Sequence, residues 1–382
     1  MPMHSGLLPR EGLTGDPVFR LIGQTALNPT FLLPLVLLAR WTKRGEKWRI
    51  LHPKAFSRLK TLLYLALVRI ASSWYSNKAL NNWVSDPKWD WPRETAVITG
   101  GAGGIGAHVV SLLAERGVRV AVLDVQDMAY EPGANVAHFK CDITSSQQIA
   151  EVAAAIREKW GDPTILVNNA GVARGKTILE GTEKDTRFTF DVNTISHYLL
   201  AREFVPAMAK RDHGMIVTVA SYAAFITVPN MVDYAASKAA ASSFHEGLAA
   251  ELRTRYNAPR VRTVLVNQGY TKTKLFTGYH NDSPFLIPSL EPETIADEIA
   301  KQIFSGKSGQ VIVPRFGVML TALRAFPHWY QTNLRARGQN IMMKWTGRQV
   351  IKDLDRFYDS KEKPAVEESG VLVPDKSNEG ST

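Results

Sequence analysis

The sequence predicts an α/β fold: one doubly wound, seven-stranded parallel sheet with helices on both faces. Three observations carry this. From Glu94 to Pro314, short apolar runs alternate with longer helical stretches, the pattern of βαβ units with right-handed crossovers. The strand runs are continuously apolar rather than alternating, as expected when both sheet faces are covered. A glycine-rich turn, Thr99-Gly-Gly-Ala-Gly-Gly-Ile-Gly106, separates the first of these strands from the first helix.

Each element has a local reason. Thr95–Thr99 is a short apolar strand, and Ile105–Arg116 is a helix stopped by Gly117. Val118–Leu123 is β-rich and ends at Asp124, and Val136–Phe139 is a third strand. Ser145 suits the N-cap of a helix that runs to Trp160. Thr164–Val167 leads into Asn168-Asn169-Ala170-Gly171, and Thr182–Lys210 is a long helical stretch. Met215–Ala220 and Val261–Val266 are strands flanking a helix over Asp233–Arg255. Glu291–Phe304 is a helix with Pro292 in its first turn, and Gln310–Val313 is the last strand.

Composition excludes several classes. Of 382 residues, 45% are hydrophobic and 21% charged, which supports a packed core rather than bulk disorder. The single cysteine, Cys141, excludes an internal disulfide framework and a cysteine-ligated zinc site. The net charge of +10 is unevenly placed. Residues 1–93 hold 14 Lys/Arg against 5 Asp/Glu, and residues 315–357 hold 8 against 2, whereas residues 94–314 hold 21 against 23. Nucleic acid prefers a basic face on the folded domain. Basic flanks mixed with Trp and Leu fit an anionic membrane surface better.

The N-terminal flank carries two apolar runs, Leu27–Ala39 and Leu59–Tyr75, with cations, Trp41 and Trp48 between them. Each is shorter than the roughly 20 apolar residues of a spanning helix, so they read as interfacial helices or a monotopic hairpin. An amphipathic arm packed on the core is the alternative. The 315–357 segment is also basic and amphipathic. It suits a membrane surface, or an arm closing over the substrate pocket or a dimer partner.

The glycine turn brings backbone N–H groups to a pyrophosphate at a helix N-terminus. Gly100, Gly104, Ile105 and Gly106 are its candidate contacts. Asp124 follows 18 residues after Gly106, where a carboxylate accepts both adenosine ribose hydroxyls and repels a 2′-phosphate. NAD is therefore favoured, with NADP left open. Asp142, beside Ile143, is placed for the adenine amino group. Asn169, Ala170 and Gly171 brace the sheet and line the adenosine.

Tyr234 and Lys238 lie four apart on one helix face. A nearby ammonium favours the phenolate of a tyrosine, whose ordinary pKa is about 10. Ser221 stands 13 residues upstream at a strand end, placed to hold a substrate oxygen. Asn193 sits inside a long helix, where an inward amide bends the helix and holds a water.

These motifs, with Asn267-Gln268-Gly269 after the sixth strand, resemble classical short-chain dehydrogenases/reductases over about residues 94–314. The closer resemblance is to the retinol dehydrogenase and 17β-hydroxysteroid dehydrogenase type 11-like group, family 16C. It is carried by His213-Gly-Met-Ile-Val-Thr-Val-Ala-Ser221, Phe244-His245, Leu290-Glu-Pro-Glu293 and Val311-Ile-Val-Pro314.

The resemblance implies a Rossmann-type domain with Asn193, Ser221, Tyr234 and Lys238 as a catalytic tetrad. Gly269 and Thr273 would lie at the nicotinamide, although Gln268-Gly269 replaces the usual Pro-Gly. It also implies hydride transfer between NAD(P) and a lipophilic alcohol, ketone or aldehyde such as a retinoid, steroid or long-chain lipid. The expected setting is the endoplasmic reticulum membrane or a lipid droplet, with the catalytic domain facing the cytosol, as a homodimer. A keto-lipid reductase, for example of 3-ketosphinganine, and a lipid-surface scaffolding protein are the alternatives. The expected domains are a membrane-associating region over 1–92, the NAD(P)-binding domain over 93–314, an amphipathic helical extension over 315–357 and a disordered tail over 358–382. No metal site is expected.

Overall fold

The computed structural model describes residues 3–362, apart from residues 5, 7, 282, 346, 348 and 349. The chain divides into two compact units, Met1–Gln349 and Val350–Thr382.

In the first unit, four helices precede the sheet: α1 (Gly15–Gln24), α2 (Pro29–Trp41), α3 (Lys43–Leu51) and α4 (Pro53–Leu80). The two apolar runs of the N-terminal flank are thus α2 and the middle of α4. Asn28 caps α2 by accepting from the Thr30 N–H, and Thr42 caps α3 by accepting from the Gly45 N–H. Leu32 of α2 packs with Leu63 and Ala66 of α4 in a small cluster of their own. Most of the remaining apolar side chains are outward, including Trp41 at 74% exposure and Val68 at 64%. Among the described residues, no single helix is long and apolar enough to cross a membrane.

Then come β1 (Thr95–Thr99), α5 (Gly104–Glu115), β2 (Arg119–Asp124), β3 (Val136–Lys140), α6 (Ser146–Trp160) and β4 (Ile165–Asn168). Next are α7 (Glu183–Phe190), a π-helical turn (Asp191–Ile195), α8 (Ser196–Arg211), β5 (Gly214–Val219), α9 (Val232–Thr254), β6 (Val261–Gln268), α10 (Pro292–Phe304) and β7 (Gly309–Val313). The seven strands pair in parallel in the order β3-β2-β1-β4-β5-β6-β7, so the order in which strands are added reverses between β1 and β4. Ligands of such sheets bind at the carboxyl ends of the strands beside that reversal. Val109, Val110 and Leu113 of α5 pack with Ile295, Ile299 and Ile303 of α10 on the sheet, forming the main core.

The segments before β1 are tied to this domain. Asn81 accepts from the Ser308 N–H at 2.9 Å, and Arg262 donates to the Asn81 and Val84 carbonyls. Arg10 pairs with Asp297 at 2.6 Å. A cut at residue 92 would therefore remove packing and hydrogen bonds from the sheet itself.

After β7, the expected amphipathic helical extension is broken into short pieces. Helix α11 (Val318–Thr321) has one turn, and α12 (His328–Arg337) follows Pro327. Single 3₁₀ turns lie at Arg315–Gly317, Leu323–Ala325 and Gly338–Asn340. Gly317, Pro327 and Gly338 interrupt what composition alone reads as one face. In the second unit, α13 (Leu354–Glu362) starts beyond Asp353, whose carboxylate accepts from the Arg356 N–H. This helix crosses the expected boundary at residue 358; residues 363–382 of the expected tail lie outside the described residues.

Candidate active site

The glycine turn is shaped by close approach. Gly100 has φ +67°, and a Cβ there would lie 2.8 Å from the Ala170 Cα. Gly104 has φ +60° and faces open space except for the Thr273 methyl, 3.7 Å from where its Cβ would be. Left-handed backbone at these two points is cheap only for glycine. Gly106 is buried against the Gly100 carbonyl, and Ile105 packs on the main core. The N-terminus of α5 thus opens beside Thr273, a cradle that backbone without side chains can offer to a pyrophosphate.

Asp124 ends β2 next to this cradle. Its carboxylate accepts from the Ala102 N–H at 3.1 Å and the Gln126 N–H at 3.0 Å. Asp142 follows β3 and accepts from the Thr144 N–H and hydroxyl, with Ile143 buried beside it. Asn169 donates to the Thr99 and Gly100 carbonyls, while the N–H groups of Asn169 and Ala170 donate to the Thr99 hydroxyl. These bonds lock the end of β4 to the glycine turn. Gly269 donates its N–H to the Val313 carbonyl at 2.7 Å, joining the turn after β6 to β7.

Tyr234 and Lys238 both lie on the buried side of α9, and Ser221 lies just beyond β5. Burial pushes the Tyr234 hydroxyl up to about 12, and a hydrogen bond with Ser221 pulls the other way. Burial brings the Lys238 ammonium down to about 8. Lys238 Nζ donates to the Val219 carbonyl at 2.8 Å and stands 5.9 Å from the Tyr234 ring centroid. In the protein alone, Tyr234 is therefore a neutral phenol, and desolvation outweighs the lowering expected from Lys238. Gly171 connects the two halves of the site: a Cβ there would lie 3.5 Å from both Lys238 Nζ and Asn193 Oδ1.

Asn193 sits in the π-helical turn, so the helix does depart from α geometry there. Its side chain does a different job from the one expected. Oδ1 accepts from the Val172 N–H, and Nδ2 donates to the Val172 carbonyl and the Ser237 hydroxyl. Both Nδ2 hydrogens are thereby engaged, and Oδ1 keeps one lone pair.

The sequence reading missed the roof of the site. Trp345 stands edge-on to Tyr234 with centroids 5.9 Å apart and planes at 79°, and it stacks on Phe276. It also missed His197, which is buried, as is His245 of the Phe244-His245 motif. Burial, then the Lys238 charge, brings His197 down to about 3, and burial brings His245 down to about 4. Both imidazoles are neutral there. The only sequence signal of His197 is a polar residue on an inward helix face. Cys141 is buried, and its thiol is pushed up to about 12, chiefly by burial, so it is a packing residue rather than a nucleophile.

A parallel sheet with a glycine turn at its point of reversal and a Ser–Tyr–Lys group beside it defines a dinucleotide-dependent oxidoreductase. The short chain dehydrogenase family profile matches residues 94–283. The chain is 42% identical over 226 residues to Dehydrogenase RED2 of Cochliobolus heterostrophus, covering 57% of this chain and 85% of that one. It is 32% identical over 253 residues to estradiol 17-beta-dehydrogenase 11 of Rattus norvegicus, covering 64% and 83%. The crystal structure of a short chain dehydrogenase from Burkholderia cenocepacia in complex with NADP is similar, with TM-score 0.54 and 27% identity. That likeness covers 63% of this chain and 98% of the other. The chain belongs to the short-chain dehydrogenase/reductase family, with the 16C-like resemblance that its motifs imply. It is an NAD(P)-dependent oxidoreductase acting on CH–OH groups.

Proposed function

We propose that this enzyme interconverts a lipophilic alcohol and its ketone or aldehyde at a membrane or lipid-droplet surface, using Tyr234 as general acid and base. The observation that carries the reading is the setting of Tyr234. Its hydroxyl, hydrogen-bonded with Ser221, is enclosed by an apolar cluster that includes Ala223, Val228, Met231 and Phe276. A wall of such apolar side chains suits an apolar substrate.

The bound nicotinamide supplies the hydride acceptor or donor. Gly100, Gly104 and Gly106 would cradle its pyrophosphate, Asp124 its adenosine ribose, and Thr273 its carboxamide. In reduction, the neutral Tyr234 phenol would give its proton to the substrate oxygen; in oxidation, its phenolate, favoured by the charges of Lys238 and a bound nicotinamide cation, would take the hydroxyl proton. Ser221 Oγ holds the reacting oxygen beside it. Lys238 places a positive charge behind the ring and stabilises the phenolate. Proton transfer of this kind contributes about 10²- to 10⁴-fold. Asp124 favours NAD over NADP by repelling a 2′-phosphate.

For the location, the support is exposed apolarity joined to positive charge. Trp41, Leu65, Val68 and Trp74 are exposed on α2 and α4, and residues 1–93 carry a net +9 from 14 cations and 5 anions. Such a surface suits one-sided attachment to the cytosolic leaflet of the endoplasmic reticulum or a droplet monolayer.

A screen of retinoids, steroids and long-chain alcohols and ketones with both cofactors tests the activity. Turnover confined to small polar alcohols would refute the lipophilic substrate. Flotation with phosphatidylserine-containing vesicles tests the location. Full-length protein should float, and L65E/V68E should lose most binding while remaining folded. A wild-type protein that stays at the bottom of the gradient refutes attachment.

A further inference from the structure

An alcohol or ketone must bring its oxygen to within about 2.6–3.2 Å of the Tyr234 hydroxyl. Tyr234 is only 1% exposed, so its hydroxyl is closed off from solvent. Trp345, at 2% exposure, is one of the groups packed on its ring. Its ring is edge-on to Tyr234 and parallel to Phe276 at 5.5 Å and 11°. Met342 and Ile341 belong to the same cluster.

The segment carrying these residues is not part of the sheet or of any helix. Residues 341–344 form turns after the Gly338–Asn340 3₁₀ turn, and Met343 between them is 61% exposed. Hydrogen bonds to a neighbouring loop dock it. The Trp345 indole N–H donates to the Leu275 carbonyl at 2.7 Å, and the His280 N–H donates to the Ile341 carbonyl at 3.0 Å. Both run to the loop after β6 rather than to the sheet or α9. Its seating needs small residues: a Cβ on Gly338 would collide with the Val228 side chain, and one on Gly278 with the Lys344 carbonyl.

We propose that Trp345 is a specificity-determining residue and the movable roof of the site. Its indole holds the place that an apolar ring or chain of the substrate takes, and the substrate binds by displacing residues 341–345 from Tyr234. This rests on the reading of Tyr234 as the proton-transfer residue. It also sets a size and polarity filter: only a group that replaces the indole's apolar contacts offsets the displacement. Apparent affinity then falls with the fraction of molecules whose roof is open.

The test uses full-length protein saturated with NAD⁺ and titrated with tetralin-1-one, an apolar bicyclic ketone of about indole size that cannot be reduced in that complex. Binding is read by saturation-transfer NMR. Trp345→Ala should bind about tenfold more tightly than wild type, with free indole competing, and Trp345→Phe should fall between. Unchanged affinity in Trp345→Ala, with NAD⁺ binding intact, overturns the roof. Gly338→Val, whose side chain would collide with Val228 and so push the segment away, should give the same tightening if Trp345→Ala does not fold. Unchanged affinity there also overturns the proposal. Turnover is measured separately with NADH. Tighter binding in the variants, with no reduction of the ketone by any of them or of any lipophilic ketone by wild type, keeps the roof and removes the catalytic reading instead.

Discussion

The side chain of Asn193 grips the Val172 backbone at both of its polar groups, accepting from the N–H at 2.8 Å and donating to the carbonyl at 2.9 Å. The same Nδ2 donates to the Ser237 hydroxyl, which in turn donates to the Tyr234 carbonyl at 2.8 Å. The loop after β4 is thereby fastened to the helix that carries Tyr234 and Lys238. Asn193→Leu leaves both Val172 groups buried and unpaired. Each such group costs about 1–3 kcal/mol, so urea unfolding should show a loss of at least about 2 kcal/mol. Wild-type stability in this variant would show that the grip does not hold the loop.

Tyr234→Phe removes one oxygen and leaves the ring against Phe276 at 5.8 Å and Trp345 at 5.9 Å. Stability should stay within about 1 kcal/mol of wild type, because no packing atom is lost. Cofactor binding, followed by NADH fluorescence, should be nearly unchanged. Turnover should fall at least about 100-fold. Activity within about tenfold of wild type would remove Tyr234 from proton transfer.

The parts of this site that sequence reveals are those set by local spacing. Gly100–Gly106, Asp124, Ser221, Tyr234 and Lys238 each occupy a fixed offset in a strand–turn–helix unit, and parallel pairing brings those offsets to one end of the sheet. The partners are harder to read. Nothing in the residue Val172 marks it as the group that Asn193 holds. A lone Trp345 after two methionines has no periodic signal, and its contact with Tyr234 depends on how short turns route the chain after β7. Asn81 likewise reads as linker polarity, yet it hydrogen-bonds with Ser308 beside β7. The breaks in the C-terminal extension were visible as Pro327 and Gly338, but the apolar and basic composition outweighed them.

Asp124 provides a test of cofactor choice. Its carboxylate is oriented by the Ala102 and Gln126 N–H groups, so Asp124→Asn keeps the shape and removes the charge. Fluorescence titration should find wild type binding NADH more tightly than NADPH, and the variant should narrow that ratio about tenfold, one pair of charges in a polar setting being worth roughly 1.4 kcal/mol. Tighter NADPH binding by wild type would contradict the assignment.

His213 gives the fold a pH dependence far from the chemistry. It stands just before β5, with Nδ1 2.7 Å from Asp86 and Nε2 3.4 Å from Glu94, and its ring lies 4.5 Å from that of Trp89. Its pKa is raised above 6.5, first by the hydrogen bond with Glu94, against the effect of burial, and then by Asp86. For Glu94, burial pushes upward, but the hydrogen bonds from His213 and Thr164 outweigh it and hold its carboxyl below 4.5. The folded state binds the His213 proton more tightly than the unfolded chain. The resulting stability is fully present below about pH 6.5 and is lost as pH rises through the raised value. The Glu94 contribution has the opposite sense: it is present above pH 4.5 and disappears as pH falls through the lowered value. A charged hydrogen bond of this kind contributes on the order of 1–3 kcal/mol. Urea midpoints of wild type and His213→Gln should therefore differ most below about pH 6.5, and the gap should narrow as pH rises through the raised His213 value. Taking the difference between the two proteins cancels other groups that titrate in that range, including Lys238, which burial brings down to about 8. A gap between wild type and variant that stays constant from pH 6 to pH 9 would mean that His213 holds the Asp86–Glu94 segment by packing on Trp89 and not by its charge.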